Sequence, residues 1–257
     1  ERGDAVAHFV CRKLYQEFVY EEADEAFVSE LASEFVDADF EIAPIIRSLL
    51  KSDAFFDSRF MGARIKSPVE TTIGLMNSAA IDPGESGMSL LSRSLRRLSQ
   101  QLLNPPNVAG WPGHRTWIDT TSLPLRWIAA DLLIGGRAGV FGADVYALAA
   151  NLSDPSWDSG EQRLSPFYLP LAIAEHLLPI PLENASVEEV TEDFAGDLDT
   201  FPIPEEVLAW PSHLQSLVKI FLAGAPWYEW NLADPGSSTL LEAFMRYVVK
   251  LPEFELT

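Results

Sequence analysis

The sequence predicts an all-α protein, an irregular multi-helix bundle with long loops and little or no sheet. Three observations carry that expectation. Apolar residues recur at spacings of three and four along most of the chain, whereas period-two alternation never holds for more than a few residues. Helix-starting residues (Asp, or Ser with Pro and Glu) and helix-stopping glycines punctuate the periodic stretches. Apolar residues make up 47% of 257 positions, enough to bury a sizeable core.

Asp4 is a plausible N-cap for a first helix to about Tyr20, with Val6, Phe9, Val10, Leu14 and Phe18 on one stripe. Asp24 caps a second, striped by Phe27, Val28, Leu31 and Phe35. A third carries Ile42, Ile45, Ile46, Leu49 and Leu50, with Pro44 in its first turn. Short acidic turns separate the three, so they should pack as neighbours. Ser67, Pro68 and Glu70 form a capping box for a helix to about Ala80, which Asp82-Pro83-Gly84 closes. Leu91, Leu95, Leu98 and Leu102 mark an amphipathic helix whose other face carries Arg93, Arg96 and Arg97, the most basic spot in the chain. Residues 104–117 read as a loop. Helix resumes near Ser122 and stops at Gly135-Gly136; Gly135-Gly136-Arg-Ala-Gly139 follows a helix, not a strand, so it is no dinucleotide loop. Residues 151–163 are turn-rich and 179–204 rich in Pro, Asp and Glu. Further helices are expected near 142–150, 166–178, 186–195, 205–223 and 238–251.

Acidic residues outnumber basic ones 38 to 18, for a net charge of −20. Such a surface repels phosphate backbones and argues against nucleic-acid binding. No apolar run approaches the ~18–20 residues needed to span a bilayer. Cys11, the single cysteine, excludes an intrachain disulfide and reads as a core thiol. His8, His114, His176 and His213 lie far apart and share no ligand spacing, so no metal and no cofactor is expected. No nucleophile elbow or phosphate loop occurs.

The segment Asn104–Trp117 is the best candidate for function. Its prolines stiffen it, Gly110 and Gly113 open backbone conformations closed to other residues, and Trp111 and Trp117 offer flat faces. Asn107, Trp111, His114, Arg115 and Trp117 could together bind a ligand such as a glycan. The competing reading has both tryptophans plugging the core. Glu70, His114 and Asp119 are the candidate catalytic groups. Lys66 and Glu70 could pair on one helix face, although a capping box accounts for the same residues.

Four stretches resemble a bacterial family catalogued as domain of unknown function 1800. They are Cys11–Val19, Lys66-Ser67-Pro68-Val69-Glu70, Pro105–Gly113 followed by Trp117-Ile118, and the ending Leu251–Leu256. Ala109 stands where a Lys is common and His114 where a Gly is common. The resemblance covers Asp4–Arg126 well and the last forty residues more loosely. It implies a helical core over 1–135 and, over 136–257, a variable insertion with C-terminal helices packed on the same core. It also implies that the family's N-terminal half is missing here, consistent with the absence of a leader. Members look exported, which implies a periplasmic or secreted location. Their genes commonly neighbour those of a sulfatase-like family, domain of unknown function 1501, which implies a protein partner. The function expected on these grounds is a binding or interaction protein of the envelope or secretome. The alternative is a hydrolase of polysaccharide or sulfated substrate working beside that partner, with Glu70, His114, Arg115 and Asp119 as its polar groups.

Overall fold

The computed structural model describes residues 2–136, 141–152 and 165–257. Among them the protein forms eleven α-helices joined by loops and short 3₁₀ turns, with no β-strand. The chain divides into two compact units, Glu1–Ile65 together with Thr257, and Lys66–Leu256.

The first unit holds α1 (Arg2–Phe18), α2 (Glu25–Asp37) and α3 (Ile42–Lys51), which pack on one another. Asp24 caps α2, its carboxylate accepting the N–H groups of Ala26 and Phe27 at 2.9 and 3.2 Å. The core joins Ala7, Cys11 and Tyr15 of α1 to Val28, Leu31 and Phe35 of α2 and Ile45 and Leu49 of α3. The expected α1 stripe is corrected by one step round the helix. Val6, Phe9 and Phe18 are exposed, while Ala7, Cys11 and Tyr15 are buried. Two apolar stripes compete on this helix, and the one with small residues lets α2 approach closely, with Tyr15 meeting Phe27 edge-on at 6.0 Å.

The second unit contains α4 (Pro68–Ser78), α5 (Gly84–Arg97), α6 (Ser122–Gly135), α7 (Val145–Leu152), α8 (Tyr168–Leu177), α9 (Glu205–Leu208), α10 (Ser212–Leu222) and α11 (Ser237–Val248). One core runs through Leu75, Leu91, Ile134, Leu148, Ile173, Leu217, Phe221, Leu241 and Phe244, so helices on both sides of residue 135 line it. Asp82-Pro83-Gly84 opens α5, where the sequence led us to expect the close of α4; Asp82 accepts the Gly84 N–H at 2.9 Å. The α5 stripe holds at Leu91, Leu95 and Leu98 but not at Leu102. The helix ends at Arg97, Ser99 takes φ +65°, and Gln100 N–H closes onto the Leu95 carbonyl at 2.9 Å. Leu102 is therefore exposed.

Two further expectations fail for stated reasons. The helix expected at 186–195 does not form. Its backbone groups instead bind neighbouring side chains: Ser186 N–H to Glu253, Glu188 N–H to Tyr247, Val190 N–H to Ser216 and the Val190 carbonyl to Lys219. The stretch 205–223 is two helices, because Pro211 has no N–H to continue the first and stands as the N-cap of the second. The turn-rich stretch 151–163 lies, apart from Asn151 and Leu152, outside the described residues, as does the end of the 135–139 glycine segment.

Candidate functional site

The candidate loop connects α5 to α6, and both its ends are fixed by the local chemistry of the second unit. At the α4 start, Ser67 and Glu70 make the capping box in full. The Ser67 N–H donates to Glu70 Oε2 at 2.7 Å, and the Glu70 N–H donates to Ser67 Oγ at 3.2 Å. Buried Gln100, just past α5, accepts the Val69 N–H at 2.8 Å and so ties the loop's first residues to α4. At the other end Asp119 Oδ1 accepts the N–H groups of Thr121 and Ser122, both at 2.7 Å. Those bonds, Ser122's first and Thr121's next, hold the Asp119 carboxyl below the ordinary aspartate range.

Beneath this frame lies a residue that sequence reasoning passed over. Arg126 of α6 is buried, its side chain 1% exposed, and it faces Glu255 of the C-terminal 3₁₀ turn (Pro252–Glu255), 3% exposed, at 2.5 Å. The same Nη1 donates to Thr71 Oγ1 at 2.8 Å, and Thr71 donates in turn to Glu255 Oε2 at 3.1 Å. Nη2 donates to the carbonyls of Lys66 at 2.9 Å and Trp117 at 3.4 Å. A guanidinium does not shed its proton, so burial of Arg126 depends on these acceptors being in place. Lys66 adds a second layer. Its N–H donates to the Glu255 carbonyl at 2.7 Å, and its ammonium donates to the Phe254 carbonyl at 2.7 Å while lying 4.8 Å from the Phe254 ring. Burial pushes the Lys66 pKa down, the carboxylates of Glu255 and Glu70 oppose that shift, and Arg126 reinforces it. Next door Glu253 is buried and accepts the Ser186 N–H at 2.9 Å, its other carboxylate oxygen finding no hydrogen-bond partner among the described residues. Three of the four stretches that carry the family resemblance thus meet at one ion pair: Lys66–Glu70, the Trp117 end of the loop, and the closing Leu251–Leu256.

Above this node the loop itself is structured and outward-facing. Asn107 Oδ1 accepts the Ala109 N–H at 2.8 Å and the Asn107 carbonyl accepts the Gly110 N–H at 3.1 Å, a self-closed turn. Gly110 at φ +87° and Gly113 at φ +77° occupy the left-handed region, which explains glycine at both. A 3₁₀ turn follows over His114–Trp117. The Trp117 carbonyl, besides meeting Arg126, accepts the Ser122 hydroxyl at 3.1 Å. Trp111 and Trp117 are both half-buried. Pro105, Pro106, Asn107 and Arg115 are exposed, and Leu103 and Val108 are exposed in full. Of the candidate catalytic groups, Glu70 and Asp119 hold helix starts and His114 begins the 3₁₀ turn at φ +49°.

Cavities of about 530, 390, 370 and 260 Å³ in the second unit are lined by residues other than these candidates. Among the described residues no group of three His, Cys, Asp or Glu side chains is placed to hold a metal ion. No described helix is long and apolar enough to cross a membrane.

Arg126 had one legible signal, a single cation inside the apolar run Leu123–Ile134. No curated protein and no solved structure matches the chain. One family does, and its match runs through residues 136–205 as well as the first three stretches above and Leu251–Phe254 of the fourth. The chain, matched over residues 2–254, belongs to the family described as protein of unknown function, DUF1800.

Proposed function

We propose that this chain is a binding protein of the cell envelope or secretome that docks a protein partner through the loop 102–117. The observation that carries the reading is the exposure of Leu102, Leu103 and Val108 on a loop whose backbone is pinned at both ends. Apolar side chains on a floppy loop gain little on docking, because ordering the loop offsets the burial. Here the turn at Asn107–Gly110 and the Trp117–Arg126 bond have already met that cost. Burying a fully exposed Leu or Val side chain is worth about 1.5–3 kcal/mol, so the tip can supply a compact anchor. Asn107, Trp111, His114, Arg115 and Trp117 form the body of the same loop and would frame that anchor with polar and aromatic groups. The engagement of Glu70 in the α4 capping box and of Asp119 with the N–H groups that lead into α6 supports binding over hydrolysis.

The first partner to try is a protein of the sulfatase-like family implied by the resemblance. Titrating the purified chain into such a protein by calorimetry should give a saturable complex. Leu103→Asp with Val108→Asp should weaken it at least tenfold without changing the melting temperature. An unchanged affinity in that double variant, or no complex with any such protein, would remove the basis of the proposal.

A further inference from the structure

The cleft between α5 and α6 shares no lining residue with the loop, and its chemistry is of another kind. It has a volume of about 390 Å³, within the ~300–1,000 Å³ typical of small-molecule sites. Half-buried Leu90, Leu132 and Phe141 supply apolar wall, and Arg93, Arg96 and Arg97 stand along one side. The three arginines sit at i, i+3 and i+4 on α5, the spacing that places side chains on one helix face. They are three of thirteen arginines in a chain with only five lysines and a net charge of −20, gathered within five residues. All three are exposed, and among the described residues no ion pair involves them and no carboxylate lines the cleft. Arg96 and Arg97 would complement the negative end of the α5 dipole wherever they pointed. That explanation does not reach Arg93, one turn earlier, nor the apolar wall opposite.

We infer that this cleft binds an amphiphilic carboxylate, its head held by Arg93, Arg96 and Arg97 and its alkyl or aryl tail laid against Leu90, Leu132 and Phe141. The planar guanidinium fork fits a carboxylate bidentately, which a lysine cannot do. An acidic protein gains a further advantage from such a site. Its general field repels anions, so only a ligand that also buries apolar surface is retained.

The test is calorimetric titration of the whole chain with dodecanoate below its micellar concentration, alongside acetate and 1-dodecanol. Dodecanoate should bind one-to-one, acetate not detectably, and dodecanol at least tenfold more weakly. Arg93→Gln with Arg97→Gln should weaken dodecanoate tenfold or more and leave dodecanol unchanged. Leu132→Trp, which fills the cleft, should abolish both, its fold checked by circular dichroism; Arg93→Glu serves should that variant not fold. Dodecanol binding as tightly as dodecanoate, indifference of dodecanoate to the arginine substitutions, or no dodecanoate binding would each overturn the inference.

Discussion

Replacing Glu255 by Leu isolates the contribution of the Arg126 node. In the native protein the carboxylate sits 2.5 Å from Arg126 Nη1 and also accepts the Thr71 hydroxyl at 3.1 Å. The Glu255→Leu variant would leave a cation whose side chain is 1% exposed with only a hydroxyl and two carbonyls as acceptors, one of them at 3.4 Å. The guanidinium cannot escape by losing its proton, so the full cost of an uncompensated buried charge falls on the native state. Breaking a buried pair in this way costs about 3–5 kcal/mol. For a chain of this size each kcal/mol moves the melting temperature by about 2–4 °C, so a loss of about 6–20 °C is expected. Thermal and urea unfolding followed by far-UV circular dichroism measure it. The companion is Arg126→Met with Glu255→Leu, which removes both charges and should cost less than Glu255→Leu alone. A single variant within about 1 kcal/mol of the native protein, or a double variant less stable than the single, would show that the buried pair does not hold the node.

Three other outcomes follow from the same geometry. Asp119→Ala removes the acceptor of the Thr121 and Ser122 N–H groups at the start of α6 and should lower the melting temperature at neutral pH. Because the folded Asp119 pKa is depressed, its contribution is present above the ordinary aspartate value of ~3.9 and is lost as pH falls through the folded value, so the gap from the native protein should close in acid. Ser67→Ala breaks the capping box and should cost about 0.5–2 kcal/mol in chemical denaturation. Cys11 is fully buried and its thiol pKa is raised, by desolvation first and by Glu34 next, so mass spectrometry should find it unalkylated in the native protein and fully alkylated in urea.

What the sequence disclosed is divided by range. The Ser67 capping box, the Asp24 cap and the Gly135-Gly136 stop were readable because each is settled within four residues of chain. The α1 stripe was misread in part: Val10 and Leu14 do pack against the core, but Val6 and Phe9 satisfy helical spacing as well as Ala7, Cys11 and Tyr15 do, and only the partner helix chooses between them. The segment after Asn184 offers acidic, helix-compatible residues, yet side chains from α10, α11 and the C-terminal turn capture its backbone first. At the candidate site the loop was legible as composition: three prolines, two glycines and two tryptophans do shape it. The node beneath it was not, since Arg126 and Glu255 are 129 positions apart and no local pattern links them. The exposure of Leu102 was hidden for a related reason. Its spacing continues the α5 stripe, and only the left-handed turn at Ser99 takes it out of the core.

If the pinned loop is the surface a protein partner covers, hydrogen–deuterium exchange with and without that partner will show it. Exchange at the amides of residues 102–117 should slow on complex formation, most strongly around Leu103 and Val108, with α8, α10 and α11 unchanged. Protection that leaves this loop untouched and appears elsewhere on the chain would contradict it.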